Sequence, residues 1–218
     1  MPPNLITLTD PGSPAADAYR TLRTNLIFSD LDHPIATLGI SAPAEDSGKG
    51  LTAANLAVTF AQSERRTILV DADLRRPSIH TYWDADNSRG LTTMLLEDAA
   101  FDTPPLIETE VEGLRLLPSG TLPANPVDVL ASARMDQVIR RLMESADMLV
   151  FDMPPVLVAA DALVLGQKLD GMLMVVRANH TRRDHTTQAR LQLERVSINL
   201  LGAVLVDAPY DRTSSDYR

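Results

Sequence analysis

The chain has 218 residues, 44% hydrophobic and 22% charged, which excludes a disordered or fibrous class and suits one soluble α/β domain. A net charge of -9 repels polyanions, and the arginine pairs Arg75-Arg76 and Arg182-Arg183 are too short to offset it, so no nucleic-acid partner is expected. The absence of cysteine removes disulfides, thiolate catalysis and thiolate-held metals, and His33, His80, His180 and His185 lack metal-ligand spacing.

Residues 1–14 are rich in proline and turn formers and read as an extended lead-in without a signal peptide. No stretch reaches the roughly 18 apolar residues of a membrane helix, so the chain is expected in the cytosol unless a partner draws it to a membrane. The segment ADAYRTLRTNLIF predicts an amphipathic helix with Ala18, Leu22, Asn25 and Leu26 on one side and Arg20 and Arg23 projecting to solvent or a partner. A short apolar run, Ile35 to Ile40, leads into SAPAEDSGKG and then LTAANLAVTFAQ, a small and apolar helix that must be buried. RTILVDAD follows as a β-branched strand, completing a right-handed βαβ unit.

The alternation continues with LRLLPSG as a strand, MDQVIRRLMESA as a helix and DMLVFDMPP as a strand. ADALVLGQKL (helix), GMLMVVRA (strand), RDHTTQARLQLERV (helix) and LLGAVLVDAP (strand) complete it. The fold class is therefore α/β, a doubly wound, mostly parallel sheet with helices on both faces. One domain is expected over 15–208, with 209–218 a mobile polar tail.

Ligands of such sheets bind beyond the carboxyl ends of strands, and three ends here carry chemistry. Gly48-Lys49 precedes a helix, as in a phosphate-cradling loop, although Pro43 and Gly50 stand where GxxxxGK[ST] requires glycine and a hydroxyl. Read alone, Gly48-Lys49-Gly50 could equally be a flexible turn. Asp71 and Asp73 close the second strand on one side, an arrangement that favours a shared cation or proton; the alternative is a helix cap before Pro77. Asp152 closes a buried strand where a Walker B carboxylate is expected, or serves as a turn residue.

SAPAEDSGKGLTAANLA, ILVDADLRRPSIH, GLTTML, LPSG, LVFDMPPVLVAADALVL and DGMLMVVRANHTRR together resemble the cytoplasmic domain of bacterial tyrosine kinases of capsule and exopolysaccharide synthesis, P-loop relatives of MinD and ParA. The likeness runs from about Ser13 to Ala208, and AYRTLRTNL with DADLRRPS points to the kinase branch. It implies a fold of the P-loop NTPase type, ATP and Mg2+ as cofactors, and a protein-tyrosine kinase activity that regulates polysaccharide polymerisation and export. Lys49, Asp71, Asp73 and Asp152 become the catalytic set, with Asp73 and Asp152 on the metal. Ser47, Gly48, Lys49, Gly50, Leu51 and Arg177 would line the nucleotide. Asp17, Arg20 and Arg23 match a helix motif through which subunits close a ring, and Tyr210 and Tyr217 are the autophosphorylation candidates. A transmembrane polysaccharide co-polymerase or activator subunit is the implied membrane partner, placing the chain at the inner face of the plasma membrane.

The sequence departs from this pattern at several positions. Gly50 lacks the hydroxyl that coordinates magnesium, which predicts weaker metal binding, and restoring it by Gly50→Ser is expected to raise magnesium affinity. Leu51 replaces a hydroxyl beside the α-phosphate, Glu45, Asp46 and Ser47 alter the loop, and Val206 stands where relatives carry an adenine-reading asparagine. A catalytically inactive scaffold of the same system is the alternative, and a MinD- or ParA-like ATPase is a third reading.

Overall fold

A computed structural model describes residues 5–29, 34–45 and 47–208. Its elements run α1 (Ile6–Thr9), α2 (Pro14–Ile27), β1 (Thr37–Ser41), α3 (Lys49–Ala61), β2 (Thr67–Asp71), α4 (Ile79–Tyr82), α5 (Leu91–Leu96) and α6 (Asp98–Asp102). They continue with β3 (Ile107–Glu108), β4 (Leu114–Leu117), α7 (Pro126–Ala131), α8 (Ala133–Met143), β5 (Met148–Asp152), α9 (Asp161–Gly166), β6 (Gly171–Arg177), α10 (Arg183–Arg195) and β7 (Leu200–Val206). Tyr210 and Tyr217 lie outside the described residues.

The strands form one sheet in the order β3-β4-β2-β5-β1-β6-β7, parallel except for β3. Side chains alternate between its faces. Leu38, Ile40, Leu69 and Val150 pack on the α3 side, while Ile68, Val70, Leu149 and Phe151 pack on the side of α8, α9 and α10. Both faces are covered, which is why the central strands read as unbroken apolar runs. α8 shows how such a cover forms: Ser132 accepts from the Met135 amide at its start, and Met135, Val138, Ile139 and Leu142 repeat at helical spacing toward the sheet.

Three local expectations are corrected. The lead-in is not wholly extended: residues 6–9 form a helical turn, because Leu5 is buried and Thr7 donates both its amide (3.0 Å) and its hydroxyl (2.8 Å) to the buried Asn55 Oδ1 of α3. On α2 the buried residues are Ala16 and Leu26, while Ala18 and Asn25 are exposed. Arg23 turns inward and donates to the Thr59 carbonyl at 2.8 Å, so it ties α2 to α3. The antiparallel edge strand β3 was not anticipated, since a two-residue pairing carries no periodicity.

Asn55 joins α1 to α3, and its own amide group donates to the Leu51 carbonyl. Asn55→Ala leaves two buried donors of Thr7 unpaired, and urea unfolding is expected to show a loss of about 1–3 kcal/mol with an unchanged m-value.

Candidate functional site

β1, β2 and β5 lie side by side in the sheet, and their carboxyl ends deliver the three segments singled out above to one place. Gly48 takes a left-handed backbone (φ 76°) that turns the chain from the loop into α3, a conformation glycine adopts without steric cost. Its position puts Lys49 in the first turn of α3, aimed at the strand ends. Asp71 follows Leu69 by two residues and Asp152 follows Val150 by two, so both carboxylates emerge on the α3 side. The two aspartates are also register partners across β2 and β5.

Lys49 Nζ sits between Asp73 Oδ2 (2.8 Å) and Asp152 Oδ1 (3.0 Å). Asp73 Oδ1 accepts from the amides of Arg75 and Arg76, which fixes its orientation. Asp71 Oδ2 accepts from the amides of Ser78 and Ile79, both at 2.9 Å, and so holds the start of α4. The capping and the active-centre readings of Asp71 thus describe the same side chain. Asp71 Oδ1 and Asp152 Oδ2 are buried and have no hydrogen-bond partner among the described residues.

Three buried carboxylates face one ammonium group, and burial shifts the proton affinity of Asp71 and Asp152. Burial first, and then the neighbouring Asp152, push Asp71 up to about 8. Burial raises Asp152 as well, against the opposing pull of Lys49. For Lys49 burial alone would lower the pKa, but Asp152 and Asp73 outweigh it, and the ammonium is held charged.

The cluster opens into a cleft of about 390 Å³ lined by Ser47, Gly48, Lys49, Gly50 and Asp73, with Tyr82, Arg75, Arg76 and the Pro154-Pro155 turn around it. Arg75 is not a free basic group: its guanidinium makes a two-pronged contact with the fully buried Asp161 at 2.8 and 3.0 Å. Arg76 pairs with Glu45 at 2.6 Å, which offsets the negative charge that Glu45 adds to the loop. Val206 lies near the loop, since a β-carbon on Gly48 would be 3.7 Å from its Cγ2. Leu51 and Arg177 are not among the residues lining this cleft; Arg177 ends β6 and contacts Asp207 at 2.7 Å. On α2, Asp17 and Arg20 pair with each other at 2.7 Å.

The sequence reading missed Ser78 and Tyr82. Both line the cleft, Ser78 as the residue before α4 and Tyr82 as its last, and a helix of four residues offers no periodicity by which the sequence could have marked them. Among the described residues no group of three His, Cys, Asp or Glu side chains is disposed to hold a metal alone. A cation here would keep water or phosphate oxygens in its shell, as magnesium ordinarily does.

No family model matches the chain. Tyrosine-protein kinase YwqD of Bacillus subtilis is 37% identical over 205 residues, covering 94% of this chain and 86% of that protein. The putative tyrosine-protein kinase CapB of Staphylococcus aureus is 31% identical, with 95% and 90% covered. The chain belongs to the bacterial tyrosine-protein kinase family. Among solved structures, the chimerical protein CapA2B2 matches with a TM-score of 0.90 at 30% identity, over 94% of this chain and 90% of that one. The kinase domain of Escherichia coli tyrosine kinase ETK matches with a TM-score of 0.89 at 28% identity, over 99% and 84%. MinD of Pyrococcus horikoshii, solved with Mg-ADP, shares the fold at 21% identity and a TM-score of 0.65, over 78% and 69%. The family places this chain on the P-loop NTPase fold. No helix among the described residues is long and apolar enough to cross a membrane.

Proposed function

We propose that the chain is an ATP- and Mg2+-dependent protein-tyrosine autokinase that regulates the polymerisation and export of a capsular or extracellular polysaccharide. The observation that carries this reading is the excess of buried negative charge at the mouth of the loop: three carboxylates against one lysine, with Asp71 Oδ1 and Asp152 Oδ2 unpartnered. Such a cluster is costly in isolation and fits a cation. Asp73 and Asp152 would hold magnesium, which when bound neutralises charge on the phosphates of the nucleotide.

The chain's own groups then divide the work. The amides after Ser47 and Gly48 face the phosphates at the start of α3, and Lys49 leaves its carboxylate partners to meet phosphate oxygens. Asp71 accepts the proton of the tyrosine hydroxyl at Oδ1 as that oxygen bonds to phosphorus and the bond to the leaving ADP oxygen breaks. A carboxyl raised to about 8 in the metal-free chain holds a proton more strongly than an ordinary one, and a cation bound beside it would favour its charged, proton-accepting form. Glycine at position 50 offers no hydroxyl to the metal side of the loop. Asp17 and Arg20 supply the exposed charges for ring closure, and Arg23 positions their helix on α3.

The membrane connection is through a transmembrane activator, which brings the chain to the inner face of the membrane. The competing reading, an inactive scaffold of the same system, draws on Gly50 and on Val206 beside the loop. Incubation with γ-labelled ATP separates the two. Label on tyrosine that requires Mg2+ and rises with the activator's cytoplasmic tail is expected. A protein that binds ATP yet takes up no label in either condition is the scaffold.

A further inference from the structure

Gly50 removes a hydroxyl from the phosphate loop, yet the space beside it is filled by hydroxyls from elsewhere. A β-carbon at position 50 would lie 2.8 Å from Tyr82 Oη, 2.9 Å from Ser78 Oγ and 3.2 Å from Asp152 Oδ2. Two hydroxyl oxygens and one carboxylate oxygen therefore surround a single point next to Lys49. The carboxylate oxygen is fully buried and has no partner in the described structure. The two hydroxyls lie beside one another.

These hydroxyls are held in place by the site itself. Asp71 accepts the Ser78 and Ile79 amides and so pins the start of α4, and Tyr82 lies one turn further on the same face. Tyr82 is half-buried, with its ring against Trp83 (centroids 6.4 Å apart), and both it and Ser78 line the cleft. An oxygen donor near the Asp152 carboxylate is what a hard divalent cation requires, and which residue carries the hydroxyl matters less than where the oxygen sits.

We propose that Ser78 and Tyr82 supply, from α4, the hydroxyl oxygen toward the divalent cation that residue 50 does not, acting with Asp152. This rests on the reading of Asp152 as the metal-side carboxylate. It also revises the expectation for Gly50→Ser. A serine there meets two oxygens at less than 3.0 Å, so the added hydroxyl competes with Ser78 and Tyr82 and does not raise cation affinity.

The test is Mn2+ binding to the ADP-loaded full chain, followed by electron paramagnetic resonance of the free ion. Ser78→Ala and Tyr82→Phe are expected each to weaken Mn2+, and the double variant by at least about tenfold, a loss typical of an altered metal environment. ADP affinity in EDTA and the fluorescence of Trp83, the single tryptophan, are expected to stay as in the parent protein, which shows that the variants remain folded. Gly50→Ser added to the double variant recovers most of the lost affinity, whereas alone it gives no gain. Unchanged Mn2+ binding in the double variant, while Asp152→Asn abolishes it, overturns the hydroxyl proposal and leaves the kinase site standing. Unchanged binding in Asp152→Asn as well overturns the metal-site reading itself.

Discussion

Lys49→Ala is expected to lower the unfolding free energy by about 3 kcal/mol at pH 8, because it leaves Asp73 and Asp152 buried without their shared counter-ion. For a chain of this size that corresponds to a fall in Tm of roughly 6–12 °C. The cost should shrink at pH 5, where Asp152, whose burial already favours its neutral form, can take up a proton instead. Phosphotransfer is expected to fall by about 10²–10³, since the lysine is the ammonium group positioned for developing phosphate charge. Calorimetry at the two pH values, paired with a tyrosine-phosphorylation assay, checks both parts. A loss of stability that is equal at pH 5 and pH 8 would assign Lys49 a packing role and not an electrostatic one.

Asp71→Asn is expected to act in the opposite sense on stability. Asp71 titrates near 8 in the folded chain against an ordinary value of 3.8. Between those values the folded protein binds more protons than the unfolded chain, so stability declines as pH rises through that window. Below it the carboxyl is neutral in both states and imposes no penalty. Asparagine keeps an oxygen for the Ser78 and Ile79 amides but carries no charge, so it removes this decline. At pH 8, without metal or nucleotide, the variant should be more stable by the order of a few kcal/mol, while at pH 4 the two proteins should match. It should also be inactive, having lost its proton acceptor. A residue whose removal stabilises the fold and abolishes activity marks strain kept for chemistry. Scanning calorimetry from pH 4 to pH 8 reads the first effect, and a variant no more stable at pH 8 than the parent would contradict the raised pKa.

The strand ends were legible in the sequence because physics makes them conspicuous. ILVD and MLVFD are apolar runs that stop at a charge, and a parallel sheet puts such stops at one edge. The register of Asp71 opposite Asp152 was not legible, since no sequence pattern fixes the relative stagger of β2 and β5. α2 was read as a helix, but its inward face was misjudged: it is half-exposed, so its apolar stripe is weak and Arg23 could be assigned to solvent although it anchors the helix. Leu5 and Thr7 were hidden among prolines, and the burial of Leu5 together with the Thr7 bonds to Asn55 gives that segment its turn. Ser78 and Tyr82 were missed because a four-residue helix has no measurable periodicity, and because the absence of a side chain at Gly50 conveys nothing about what fills the space.

Tyrosine phosphorylation, quantified by mass spectrometry after incubation with MgATP and the activator tail, addresses the reading of this site most directly. The parent protein should accumulate phosphotyrosine, and Lys49→Ala and Asp71→Asn should not, with circular dichroism showing all three folded. Phosphotyrosine at parental levels in both variants would place the chemistry elsewhere, and its absence from the parent protein with nucleotide bound would leave a kinase fold without the activity.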